Sequence, residues 1–125
     1  MVVSVFYVAA GGALGAVLRY LCVLGASRAF GAAFPFGVLG VNVIGSLLMG
    51  VAAVMLVEKT GAGRGSLFLM TGVLGGFTTF SAFSLDTMSL IERGATGLAA
   101  LYVGGSVVLS IAAIGLGLWL GREFS

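Results

Sequence analysis

Four long stretches of this chain are almost free of charge, and that pattern restricts the fold more than any other feature. Residues 2–24 are interrupted only by Arg19, and residues 36–57, 66–85 and 97–120 hold no Asp, Glu, Lys or Arg. A helix crosses the hydrocarbon core of a bilayer with about 20 apolar residues, so each stretch is long enough to span. Ten charged side chains in 125 residues make up 8% of the sequence, whereas a water-soluble domain carries about 25% to keep its surface hydrated. The chain is therefore expected to be an all-α membrane protein. Four transmembrane helices, over about 2–24, 36–57, 66–91 and 97–120, form a single domain over 1–125. The first stretch lacks a basic leader and is too long for a signal peptide, so it is read as span 1.

The breaks between spans are short. Residues 26–35 hold Arg28 and the only proline, 58–65 hold Glu58, Lys59 and Arg64 among glycines, and 92–96 form a five-residue turn. A turn that short makes spans 3 and 4 antiparallel neighbours. Six scattered cations and a net charge of +2 give no patch for nucleic acid. The lone Cys22 has no disulfide partner, and with no histidine there is no Cys/His metal set. Glycine supplies 22 residues, with small-xxx-small spacing at Gly11/Gly15, Gly72/Gly76 and Gly117/Gly121. In lipid this spacing lets helix backbones approach closely. An even number of spans puts Lys59, Arg64 and Arg122 on one side of the membrane. Arg28 and Arg93 lie on the other, joined by Arg19 if it reaches that interface. The count is nearly balanced, so positive charge fixes no single orientation. Insertion in both orientations, with an opposed pair as the working unit, stands beside a weak single bias.

Polar residues inside spans need a reason. Arg19 is read as an anchor or as the lining of an electropositive vestibule, because a charge at the bilayer centre is costly. Asp86 is expected near an interface, where it could pair with a cation. Asn42 in span 2 is either an interhelical hydrogen-bonding group or a donor aimed at a passing anion; spacing does not separate the two. Gly75-Gly76 followed by Phe77-Thr78-Thr79 weakens the third helix at mid-membrane depth. A broken helix there needs protein, water or ions for its freed backbone groups. Phe80 and Phe83 are three apart and share a helix face, with Ser81 and Ser84 on the adjacent face. Tyr102, Ser106 and Ser110 recur every four residues along span 4. Amide and hydroxyl donors and the positive edges of aromatic rings share one sign. With no carboxylate in the centre of any span, such a pathway suits a small anion.

The strings Gly-Gly-Ala-Leu-Gly-Ala-Val-Leu-Arg-Tyr (11–20), Gly40-Val41-Asn42-Val43-Ile44-Gly45 and Thr71-Gly72-Val73-Leu74-Gly75-Gly76-Phe77-Thr78-Thr79-Phe80-Ser81-Ala82-Phe83-Ser84 resemble the CrcB/Fluc family of fluoride channels. The likeness covers essentially the whole chain, and its third motif is highly specific. It implies a dual-topology, antiparallel homodimer with two fluoride pores in the inner or plasma membrane of a bacterium, exporting fluoride passively and giving fluoride resistance. It further implies that the ring edges of Phe80 and Phe83 line the pores and that Asn42 donates to the ion. Thr79, Ser81 and Ser84 line or support the pore beside the rings, and Tyr102, Ser106 and Ser110 form a polar track. Arg19 stands near a vestibule, and the Gly75 and Thr78 carbonyls of both subunits hold a structural Na+ at the dimer centre. Two positions depart from the family pattern: Ile114 stands where the track often continues with threonine, and Asp86 where glutamate is common. The main alternative is a four-span exporter resembling the small multidrug resistance proteins. It needs an acid in the first span, and residues 2–24 contain none. An enzyme is not expected, because no histidine or buried carboxylate pair could activate a serine.

Overall fold

Helical spans account for nearly the whole chain in the computed structural model, which describes residues 1–125. Helix α1 (Val2–Phe30) is followed by α2 (Phe36–Ala52), which passes without interruption into wider π-helical turns over Ala53–Glu58. The third span, Arg64–Glu92, is built from two pieces. Its first piece, α3 (64–77), is π-helical over Leu67–Leu74, and its second is α4 (Phe80–Glu92). Helix α5 (Thr96–Glu123) completes the chain. The four spans are 23 to 29 residues long and apolar enough to cross a membrane. At 1.5 Å per residue that is roughly 35–44 Å, so their ends emerge from a hydrocarbon core of about 30 Å or the helices tilt within it.

Span ends differ from the sequence reading where polar residues were expected to stop a helix. Residues 26–30 belong to α1 rather than to a loop, and the Ser27 hydroxyl bonds back to the Leu24 carbonyl at 3.1 Å. A polar side chain at the water interface does not end a helix. The stop comes at Gly31, whose φ of 79° is the left-handed conformation that favours glycine. Gly94, with φ of 80°, does the same in the turn between α4 and α5, where Ala95 N–H reaches the Leu90 carbonyl at 2.8 Å.

The glycine pairs mark the helix crossings. Gly11 and Gly15 of α1 are buried against the backbone of α3. A methyl group at Gly72 would stand 2.8 Å from the Gly11 Cα, and one at Gly76 would stand 2.6 Å from the Gly12 carbonyl oxygen. Gly117 meets the Leu47 carbonyl, Gly50 meets the Ile114 carbonyl, and a methyl at Gly121 would reach Val54 Cβ at 2.8 Å. The bundle is thus two close pairs, α1 with α3 and α2 with α5. Helices α2 and α5 run in the same direction, since Val38 clusters with Tyr102 at one end and Val54 meets Gly121 at the other. Helix α4 joins the small core of Val38, Leu90, Ala99 and Tyr102 through Leu90, with Ala82 and Phe83 packed against it. Much of its surface remains open, Phe80 being 77% exposed.

Polar contacts tie both ends. Arg93 donates to the Ala33 carbonyl at 2.8 Å, joining the two loops on one side. On the other, Arg122 forms a two-pronged ion pair with Glu58, the shorter contact 2.9 Å. Both of these side chains are exposed, where such pairs add little stability.

Candidate functional site

The third span breaks at Thr78 and Thr79, not at the glycines before them. Gly75–Phe77 is helical, while Thr78 (φ −87°, ψ 156°) and Thr79 (φ −151°, ψ 126°) are extended. Gly76 is committed to close approach against α1, and the break is made by hydrogen bonds that replace the helical ones. Thr79 is the N-cap of α4, its hydroxyl accepting Ala82 N–H at 3.1 Å; N-cap threonines satisfy a donor that a helix start leaves free. The Asn42 side chain of α2 grips the same residue twice. Its Oδ1 accepts Thr79 N–H at 2.8 Å, and its Nδ2 donates to the Thr79 carbonyl at 3.0 Å. The interhelical role of Asn42 is therefore realised, and one of its two amide N–H groups is left over.

With Thr78 and Thr79 extended, the carbonyls of Gly75, Gly76, Phe77 and Thr78 lose their helical partners. Two of the displaced donors are taken up elsewhere: Thr79 N–H, which would serve Gly75 in a continuous helix, goes to Asn42, and Ala82 N–H, which would serve Thr78, goes to the Thr79 hydroxyl. The Thr78 carbonyl is approached by Arg19, whose Nη1 lies 3.5 Å away. Arg19 thus turns toward the break rather than toward the end of α1. It leaves the count of cations outside the spans at three against two.

Beside the break lies a cleft of about 530 Å³, walled by α2, α5 and both pieces of the third span. Asn42, Gly75, Thr78, Thr79, Phe80, Phe83, Ser106 and Ser110 all line it. The Phe80 and Phe83 rings share a face as their spacing predicts, 5.5 Å between centroids and tilted by 48°. Ser106 is buried, and its hydroxyl has no hydrogen-bond partner. That is a costly condition for a polar atom unless something else comes to it.

Other residues singled out from the sequence are not brought into the cleft. Ser81 and Ser84 are exposed on α4: Ser81 lies 3.4 Å from the Thr79 hydroxyl, and Ser84 bonds the Phe80 carbonyl at 3.0 Å. Tyr102 is fully buried, packs on Phe83 with 5.2 Å between centroids, and donates its hydroxyl to Asp86 at 3.2 Å. Asp86 therefore meets a phenol rather than a cation, and the Tyr102 proton is already in use. Ile114 also lines the cleft and, with Met49 and Ile111, makes one end of it apolar. Ser46 and Met49 are wall residues not singled out from the sequence. They follow Asn42 by four and seven positions, the spacing of one helix face.

Comparison with known proteins agrees with the motifs. Residues 6–118 match the family model described as CrcB-like protein, Camphor Resistance (CrcB). The fluoride-specific ion channel FluC of Cereibacter sphaeroides is 58% identical over 118 residues, which are 94% of each chain. The protein of the same name from Ruegeria sp. is 57% identical over 123 residues, 98% of this chain and 97% of its own. That of Agrobacterium fabrum is 51% identical over 122 residues, 97% of this chain and 98% of its own. With its four spans, its broken third helix and a family match from near one end to near the other, the chain belongs to the CrcB family.

Proposed function

We propose that this protein is a passive, fluoride-selective channel of the cell membrane that lets fluoride out and so confers fluoride resistance. One observation carries the reading: a single cleft gathers the Phe80 and Phe83 rings, a spare Asn42 N–H and unpartnered serine hydroxyls, with no carboxylate on its walls. Bare fluoride requires replacement of a tightly held water shell. Each hydrogen bond to a charged group contributes on the order of 1.5–3 kcal/mol, so several donors must act in series. The relatives named above carry the same activity in their names. Conduction makes and breaks no covalent bond, so the chain is not an enzyme.

The working unit is an antiparallel pair of copies with two pathways. The cleft is open on the side of Phe80, and a desolvated anion facing lipid there would lose what the donors supply. A second copy laid over α4 closes it. Thr79, Ser81 and Ser84 support the rings, Tyr102 props Phe83, and Arg19 draws anions toward the break. The freed Gly75 and Thr78 carbonyls are hard oxygen donors suited to Na+, in the manner of unwound membrane helices. Two oxygens from one chain are too few to hold a hard cation, and the same two from the other copy would bring the set to four. Bound there, Na+ would hold the two breaks together.

Ion efflux from proteoliposomes tests this. A fluoride electrode should report rapid release from vesicles containing the protein, and a chloride electrode should report release no faster than from empty ones. Equal fluoride and chloride release, or none of either, defeats the assignment.

A further inference from the structure

The hydroxyls of the spans fall into two groups. Ser27, Thr78, Ser84 and Thr87 each bond a carbonyl of their own helix, at 3.1, 3.0, 3.0 and 2.8 Å. This is the usual resting place for such groups in lipid. The three serines on the cleft wall, Ser46, Ser106 and Ser110, make no such bond. Ser4, Ser89 and Thr96, also without one, lie in the first turn of α1, the last turn of α4 and the first turn of α5, within reach of water. Thr71, likewise unbonded, lies on the exposed outer surface of α3 and off the cleft wall. The unbonded hydroxyls turned inward at mid-span are those of the cleft.

The register of α2 against α5 places these groups. Gly50 stands level with Gly117, between the Ile114 carbonyl and the Leu118 N, and Val54 stands level with Gly121; the two helices run in the same direction. One turn back along both, Ser46 falls between Ser110 and Ile114; a second turn back, Asn42 falls between Ser106 and Ser110. The donors of the two helices therefore alternate along the cleft as Ser106, Asn42, Ser110 and Ser46, with about 6 Å between successive groups on one helix. Asn42 has spent its oxygen and one N–H on Thr79. Ser46 has spent nothing.

We infer that Ser46 is a further ion-coordinating residue: it is the outermost of this series of donors and, with Ser110, takes up fluoride one helical turn beyond Asn42. It rests on the fluoride reading above. An ion leaving one donor meets the next before water must return, which is how a multi-site pore binds without trapping. Beyond Ser46, toward Met49 and Ile114, the wall is apolar, so Ser46 and Ser110 are the last donors on that side. Loss of either hydroxyl leaves a gap in which the ion is stripped and unpaired.

The test uses the full-length protein in proteoliposomes. Ser46→Ala should slow fluoride release about tenfold or more and raise the fluoride concentration for half-maximal flux. The particle should keep its wild-type size and melting temperature. Ser46→Thr, which keeps the hydroxyl, should retain most of the rate. The Ser46→Ala/Ser110→Ala double variant should be little slower than either single one. Wild-type rate and half-saturation in Ser46→Ala overturn the inference. A slower rate with a lowered melting temperature and unmoved half-saturation also overturns it, by making Ser46 a packing residue. Failure of the wild-type protein to carry fluoride points instead to the parent reading.

Discussion

Asn42 shows how one side chain serves two ends. Its spacing left open whether it bonds a neighbouring helix or an ion; the structure shows the first and leaves one N–H for the second. Asn42→Leu strands a Thr79 N–H and carbonyl in a partly buried site, where an unpaired group costs about 1–3 kcal/mol. The expected result is a melting temperature lower by several degrees together with fluoride release reduced at least tenfold. Thermal scans in detergent and electrode traces from vesicles measure the two effects separately. A variant with wild-type melting would deny the clamp its structural share. Tyr102 carries a similar lesson. Its place on the Ser106 and Ser110 face was legible from a four-residue repeat, but the destination of its proton, Asp86, depends on a helix sixteen residues away in sequence.

At the scale of elements, backbone contact holds the bundle. The three glycine pairs were readable as packing motifs because small residues are what helices in lipid need for close approach. Which helix each pair meets was not readable, since spacing names a face and not its partner. Gly15 is pressed on the α3 backbone from Val73 to Phe77, whereas Gly25 of the same helix has open space beside it. Gly15→Val should force the α1–α3 crossing apart, at about 1–3 kcal/mol for overpacking, and reduce the yield of monodisperse protein. Gly25→Ala should leave yield and melting unchanged or slightly improved, because alanine is the better helix former. Size-exclusion profiles of the two variants decide this; equal profiles would remove the crossing from the account. The position of the break is a matter of elements too. Two adjacent glycines suggest a break at themselves, yet both remain helical, Gly76 packed against α1, and the chain yields two residues later where Asn42 and the Thr79 cap offer replacement bonds.

For the whole molecule, the proposed pairing of two copies rests on the open side of the cleft and on the freed carbonyls beside it. Native mass measurement should give particles of two chains, each 12.5 kDa. Sodium should raise the melting temperature by several degrees over N-methylglucamine at equal ionic strength, since a ligand that binds only the assembled state stabilises it by mass action. No difference between the two cations would remove sodium from the site. The sequence by itself determined that the chain spans a membrane four times, that its third span is discontinuous and that its mid-membrane groups are donors. Those properties follow from local composition and helical period, which lipid enforces residue by residue. Only the tertiary structure decided that the break falls at Thr78–Thr79, that Arg19 turns toward it, that Tyr102 is engaged by Asp86 and that Ser46 shares a cleft with Ser110. Each of these depends on the register of one helix against another, and register is set by how the glycine faces interlock, which no single helix encodes.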